Sequence, residues 1–410
     1  AGENGWNSVV YIIQLTSEGE AKTVTRLKPD DTPALISAGI VSNDRFGTAL
    51  AGLADLDGNG VGELVVGSNW DDDGGTNGGA VYIVFLDSAG GATGYTKFSA
   101  TSADSPSLSG AIAAHDYFGC SVAVLGDLDG DGVPDLAIGA YGADDAGQNT
   151  WTQYGGTMSG AVHIVFLNSD GTAKSSVKLS APSSGLEGWL GVNDYFGYSV
   201  AGLGDLDGDG NVDLAVGAPY DDDQDGGHCG TDVGAVYVLF LNADGSVKTV
   251  TKQSKHTSAS LASSLDNSDS FGNSLANVGD IDGDGVVDLA VGAFLDDDGG
   301  SNTGSLYLIS LQASGEVKSM LKFSGTVTPE LSGLMDNEDR FGYSVVSLGD
   351  VDSDGVPDLA VGAFYDDTWV AWGGAVYVIR QQGCALPVVA SALTCSGGLL
   401  LNDMTCAASC

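Results

Sequence analysis

Basic residues are scarce: 14 Lys and Arg stand against 55 Asp and Glu in 410 residues, for a formal charge of −41. That balance excludes a nucleic-acid-binding protein, because a phosphate backbone is held by basic side chains and repelled by acids. An anionic membrane surface is excluded on the same ground. No apolar run approaches the ~20 residues of a spanning helix. The longest, Ala385 to Leu393, is far shorter, so no membrane insertion is expected. The first residue is Ala1 and no basic-then-apolar leader follows it, so a targeting segment is expected to have been removed.

Histidine is also rare. His163 takes a strand position held by Tyr elsewhere, His115 precedes an Asp-x-Phe-Gly turn, and His228 and His256 lie in polar loops. None recurs or adjoins an evident nucleophile. There is neither a Gly-x-Ser-x-Gly elbow nor the Gly-Lys pair of a phosphate-binding loop, and no enzyme activity is expected. Of six cysteines, Cys384, Cys395, Cys406 and Cys410 crowd the end of the chain. An even cluster without a Cys-x-x-Cys pair or a nearby His reads as a disulfide module made in an oxidising compartment, not a zinc knot. Cys120 and Cys229 read equally well as a pair or as two buried thiols. Asn-x-Ser/Thr sequons are absent, which excludes N-glycans.

What the chain has is glycine, 63 residues of it, and short runs of Val and Leu. With 43% hydrophobic and 17% charged residues it is a folding composition, not a disordered one. Self-similarity organises the rest. Phe-Gly recurs at Phe46, Phe118, Phe196, Phe271 and Phe341, each preceded two residues earlier by Asp44, Asp116, Asp194, Asp269 or Asp339. Each copy continues with a short strand, an acidic loop, an apolar strand such as Asp213 to Ala218, a second acidic patch, and the strand type Gly234 to Leu241. A turn such as Asp170-Gly171, Asp244-Gly245 or Ser314-Gly315, with Glu18-Gly19 near the start, leads to a fourth, polar strand. Four antiparallel strands repeated in this way predict an all-β chain of β-propeller blades over residues 1–380, with a Cys-rich module over 381–410. Residues 6–28 read as a partial unit, strands three and four of a repeat. The hairpin could close a ring, continue a longer protein, or pair with a neighbouring molecule to build a filament, and the residues do not choose.

The acidic loop between strands one and two carries the chemistry. Its nine positions hold oxygen ligands at 1, 3, 5 and 9 and a Gly at 6 for the sharp turn. The loops offer Asp55, Asp57, Asn59 and Glu63; Asp127, Asp129, Asp131 and Asp135; Asp205, Asp207, Asp209 and Asp213; Asp280, Asp282, Asp284 and Asp288; and Asp350, Asp352, Asp354 and Asp358. The carbonyl at position 7 (Val61, Val133, Asn211, Val286, Val356) would add a ligand by turning inward. Calcium accepts six to eight such oxygens at irregular angles, so about five Ca²⁺ are expected. An EF-hand begins likewise but needs a bidentate Glu at position 12, where this chain has Val66, Ile138, Val216, Val291 and Val361. Five Ca²⁺ would leave a charge of about −31 from the formal −41. A second set of acids follows strand two: Asp71 to Asp73, Asp144 and Asp145, Asp221 to Asp223, Asp296 to Asp298, and Asp366 and Asp367. Asp225 adds to the third of these. They read as solvated loops or as accessory cation sites, and the lack of the alternating ligand pattern favours the first.

Phe-Gly, the Asp-rich loop, Leu214-Ala-Val-Gly-Ala-Pro219 and Gly-x-Val-Tyr together resemble the FG-GAP repeat of integrin α-subunit propellers over roughly residues 6–380. The resemblance implies a propeller with calcium in the loops named above. It also implies extracellular, adhesive or assembly roles, with partners on the face opposite the calcium loops. Two departures stand out: units longer than the usual ~60 residues, and five Phe-Gly copies instead of seven. The expected function is a secreted or cell-surface, calcium-binding structural or adhesion protein. It would bind an extracellular protein or glycan, or assemble into a coat or filament. A propeller lectin using Trp70, Trp151, Trp189, Trp369 and Trp372 is the alternative, weakened by their irregular placement; a secreted hydrolase is a third reading.

Overall fold

A computed structural model describes residues 9–15, 21–30, 32–41, 43–144, 158–181, 184–222, 232–367, 373–382 and 385–394, the last stretch as backbone. Among the described residues the strands make one hairpin and five four-stranded sheets built of antiparallel neighbours. The hairpin is β1 (Val10–Leu15) and β2 (Ala21–Leu27). The first blade is β3 (Leu50–Leu53), β4 (Glu63–Ser68), β5 (Ala80–Leu86) and β6 (Ala92–Phe98). The second is β7 (Val122–Gly126), β8 (Asp135–Ala140), β9 (Ala161–Leu167) and β10 (Ala173–Leu179). The third runs β11 (Ser199–Gly204), β12 (Asp213–Ala218), β13 (Ala235–Leu241) and β14 (Val247–Ser254). The fourth runs β15 (Phe271–Gly279), β16 (Asp288–Ala293), β17 (Ser305–Leu311) and β18 (Val317–Phe323). The fifth is β19 (Phe341–Gly349), β20 (Asp358–Ala363), β21 (Ala375–Gln382) and β22 (Ala385–Thr394). The all-β propeller-blade architecture read from the repeats is therefore what the chain adopts. β22 falls in the stretch assigned by sequence to the Cys-rich module; Cys229, Cys384, Cys395, Cys406 and Cys410 lie outside the described residues.

Strand order within every blade follows the chain, so each hairpin connection is local. Second strands are apolar because both faces are covered: β8, β12 and β16 are buried at every residue. The fourth strands, at the sheet edge, mix exposed, half-buried and buried positions, as in β6 and β10.

The chain divides into two compact units, one within residues 1–198 and 241–247, the other within 199–240 and 248–410. In the first, the hairpin and first blade share a core built from Val10, Leu27, Leu35, Phe46, Val66 and Tyr82. The first and second blades share another, containing Leu53, Ile83, Phe118 and Leu136. In the second unit, blades three and four pack through Leu203, Val238, Phe271 and Leu289, and blades four and five through Val278, Leu306, Phe341 and Leu359.

The blade joint depends on backbone contact. The glycine before strand three bridges the Phe of the following Phe-Gly: Gly79 to Phe118, Gly160 to Phe196, Gly234 to Phe271, and Gly304 to Phe341. The glycine within strand two lies against the carbonyl of the following Gly; a Cβ on Gly292 would stand 2.0 Å from the Gly342 oxygen. That same carbonyl accepts a hydrogen bond from Ser274 Oγ at 2.8 Å, as Gly272 does from Ser199 at 2.7 Å. In the fifth blade the atoms nearest a Cβ on Gly362 would all belong to Ser344, its Oγ at 2.4 Å. Its Val346 and Leu348 are 53% and 42% exposed, where the fourth blade has buried Ala276 and Val278.

Gly292→Ala is expected to destabilise the chain by about 3 kcal/mol, since a backbone oxygen must move. Gly333→Ala, at φ +82 with no atom within 4 Å of its Cβ, should cost only about 1 kcal/mol from the left-handed backbone. Denaturant melts of the two variants compare these values directly, and equal losses would refute the close approach.

Candidate cation-binding loops

Each nine-residue loop is wound around its position-1 carboxylate. Asp127 accepts the amides of Asp131 at 2.9 Å and Gly132 at 2.8 Å; Asp205 accepts those of Asp209 and Gly210, both at 2.9 Å. Asp55 takes Gly58, Asn59 and Gly60; Asp280 takes Gly283, Asp284 and Gly285; Asp350 takes Asp354 and Gly355. The side chain at position 5 then accepts the position-7 amide: Val61 to Asn59, Val133 to Asp131, Asn211 to Asp209, Val286 to Asp284, and Val356 to Asp354. Glycine at position 4 supplies a positive φ, 77° at both Gly208 and Gly283; loop five uses Ser353 there at φ 65°.

Position 9 is the first residue of strand two. Its carboxylate is buried, and it ties the loop to strand three. Asp135 accepts Leu128 N at 2.9 Å and Leu167 N at 3.0 Å; Asp288 accepts Ile281 N and Leu311 N, both at 2.9 Å. Asp358 accepts Val351 N and Gln381 N, Asp213 accepts Leu206 N, and Glu63 accepts Leu86 N. Burial pushes Asp135 and Asp288 up to about 6 against the pull of these amides. It raises Glu63 and Asp358 in the same direction.

In all five loops the carboxylates of positions 1, 3 and 9 converge. Ligand oxygens lie within 4.8 Å of one another in Asp55, Asp57 and Glu63; Asp127, Asp129 and Asp135; Asp205, Asp207 and Asp213; Asp280, Asp282 and Asp288; and Asp350, Asp352 and Asp358. The position-5 aspartates Asp131, Asp209, Asp284 and Asp354 stand outside these groups. Asp131, Asp209 and Asp284 bind lysines instead, which hold their carboxyls below the ordinary range.

Three like charges at such spacing cost about 1 kcal/mol per pair in water and about 3.5 kcal/mol per pair at an effective dielectric of 20. A hard cation fits the donor set, which is all oxygen. Two buried carboxylate oxygens in the loops, Glu63 Oε1 and Asp129 Oδ1, have no hydrogen-bond partner, which is the condition a metal-ligating oxygen would be in.

The second acidic patch was read from sequence as solvated, and the structure corrects this for the first aspartate of four of the patches. Asp71, Asp221, Asp296 and Asp366 are each at most 4% exposed. Each accepts a hydrogen bond from a buried strand-three tyrosine: Tyr82 at 2.8 Å, Tyr237 at 2.5 Å, Tyr307 at 3.0 Å and Tyr377 at 2.6 Å. A strand-four lysine completes three of the sets: Lys97 at 2.9 Å, Lys252 at 2.9 Å and Lys322 at 2.7 Å from the same aspartate. Burial opposes the Lys97 and Lys322 ammoniums, but the flanking aspartates outweigh it and hold both above the ordinary lysine value. The signal in the sequence was a Lys in register with the Tyr across strands three and four, as Tyr82 with Lys97 and Tyr307 with Lys322.

Residues 118–165 and 196–239 match the sequence model of the FG-GAP repeat, each segment starting at its Phe-Gly. The chain carries FG-GAP repeats. It is 28% identical over 310 residues to integrin alpha-PS2 of Drosophila melanogaster, covering 74% of this chain and 19% of that protein. It is 30% identical over 232 residues to integrin alpha-4 of Xenopus laevis, covering 57% and 18%. With integrin alpha-V of Gallus gallus it shares 31% over 269 residues, covering 64% and 22%. The chain thus spans about a fifth of the length of these relatives. Among solved structures, exotype rhamnogalacturonan lyase YesX aligns over 96% of this chain and 65% of its own, at 16% identity and a TM-score of 0.39. That likeness is too loose to bear on activity.

His163 lies on β9, fully buried, as a sheet residue. Of the tryptophans, Trp70 stacks under Arg45 at 3.4 Å and Trp189 is 40% exposed; Trp151, Trp369 and Trp372 lie outside the described residues. Among the described residues no helix is long and apolar enough to cross a membrane.

The aspartate before each Phe-Gly is also buried. Burial, reinforced by Asp71 and Asp296, pushes Asp44 up to about 6 and Asp269 up to about 7. Such groups bind protons more readily folded than unfolded, so they add stability at low pH and lose it as pH rises through their folded values. Melting temperature in chelator should therefore rise between about pH 8 and about pH 5, and Asp269→Asn should flatten that rise. An unchanged slope would refute the burial effect at Asp269. Ser353→Gly should stabilise the chain by about 1 kcal/mol by relieving the left-handed serine, read from denaturant melts.

Proposed function

We propose that this chain is an extracellular, non-catalytic structural or adhesion module whose propeller blades are stiffened by about five Ca²⁺, one in each strand-one-to-two loop. The observation that carries this reading is the fivefold recurrence of three converging carboxylates at the base of strand two. A loop pulled tight around an ion fixes the start of strand two, and through the position-9 carboxylate it fixes the end of strand three. Asp55, Asp127, Asp205, Asp280 and Asp350, with positions 3 and 9, would hold the ions; the ion would supply charge and rigidity, not chemistry.

The likeness to integrin α chains supports adhesion or assembly, with a protein or glycan partner outside the cell. The two described candidates for a glycan platform, Trp70 and Trp189, occupy unrelated positions in their repeats. That irregularity favours the adhesive module over a lectin with one site per blade. Self-assembly into a coat or filament is the further step this reading would allow.

A ligand that binds only the folded state at 100 times its Kd adds about 2.7 kcal/mol per site. Thermal unfolding in millimolar calcium should therefore exceed that in chelator by many degrees, and Asp127→Asn should remove one ion from the calorimetric stoichiometry. Light scattering on the same samples reads assembly: polymers that dissociate on chelation would support a coat or filament, whereas a compact monomer would leave a binding module. A melting temperature indifferent to chelation would sink the calcium reading.

A further inference from the structure

The second residue of strand four is lysine in three consecutive blades: Lys174, Lys248 and Lys318. Each ammonium sits between the carboxylates of loop positions 3 and 5. Lys174 lies 2.6 Å from Asp129 and 2.7 Å from Asp131. Lys248 lies 2.7 Å from Asp207 and 2.6 Å from Asp209, and Lys318 lies 2.7 Å from Asp282 and 2.5 Å from Asp284. In the first blade the same place holds Thr93, whose hydroxyl donates to the Phe85 carbonyl at 3.2 Å. The fifth blade has no lysine anywhere between Ala385 and Thr394.

We propose that Lys174, Lys248 and Lys318 are resident counter-ions of loops two, three and four, holding them wound without metal and weakening their grip on a divalent cation. This rests on the calcium reading given above. An ammonium bonded to both side chains occupies the carboxylates a cation would recruit. The incoming ion must displace it or accept a positive neighbour at short range, and either lowers affinity. The cation sites are thereby graded by a residue outside the loop, on the neighbouring strand.

The test uses the full chain and a triple variant, Lys174→Met, Lys248→Met and Lys318→Met, which keeps the side-chain stem. Lys255→Met, at a half-buried lysine paired with the exposed Asp266 at 3.3 Å, controls for general loss of positive charge. Calcium titration by calorimetry should show three sites tightened about fivefold, the effect of two exposed ion pairs per loop. In chelator the triple variant should melt below the parent, and Lys255→Met should change neither readout. Equal calcium affinity in parent and triple variant, with calcium bound by both, would overturn the proposal and leave the calcium reading intact. No uptake by either chain would overturn both.

Discussion

The carboxylate that begins the second strand of every blade is the point on which the rest depends. Asp135 shows why: one oxygen takes an amide from its own loop at Leu128, the other an amide at the end of strand three, Leu167. Loop, central strand and third strand are thereby pinned by one side chain. A buried carboxylate accepting charge-assisted hydrogen bonds contributes more than a neutral acceptor, and leaving those amides unpaired would cost their full desolvation. The same residue closes the acid cluster from beneath. The acid cluster and blade integrity are consequently tied to one group in this structure.

Charge is then handled differently at the two ends of a blade. At the loop end, acids are gathered at the surface, where water and mobile ions reach them and an ammonium or a divalent cation can serve. At the other end the acids are buried and must be satisfied within the protein, by tyrosine hydroxyls and lysines. An unpaired charge at the second place would be far more costly than at the first. The strongly negative chain therefore folds because few of its acids are truly uncompensated inside.

The loops and blades were legible in the sequence because both are local. The acids at positions 1, 3 and 9, which converge, are read within nine residues, and Phe-Gly marks each repeat without reference to any partner. The buried Asp–Tyr–Lys sets were not legible, since Asp71, Tyr82 and Lys97 come from three segments and meet only when strand four pairs with strand three. Judged by composition alone, Asp71-Asp-Asp73 is a surface run; its first member is buried and its last is 46% exposed as a side chain. The lysine clamps failed to show for the same reason: Lys174 is more than forty residues from Asp129.

The second blade shows that the parts of the buried set are separable. There Ala143 replaces the aspartate and His163 replaces the tyrosine, and both are fully buried. The ring contact survives: Phe118 meets His163 edge-on with centroids 5.2 Å apart, as Phe271 meets Tyr307 at 5.3 Å. What is gone is the hydroxyl–carboxylate bond, both of whose members changed in the same blade. Removing the tyrosine alone would strand a buried carboxylate, and the joint exchange leaves no aspartate at that place. Lys178, left without that aspartate, reaches the Ala111 carbonyl at 3.4 Å and Asp116 at 4.0 Å. The blade-to-blade joint therefore requires the ring, and the ion pair is an addition that a blade can exchange for other partners.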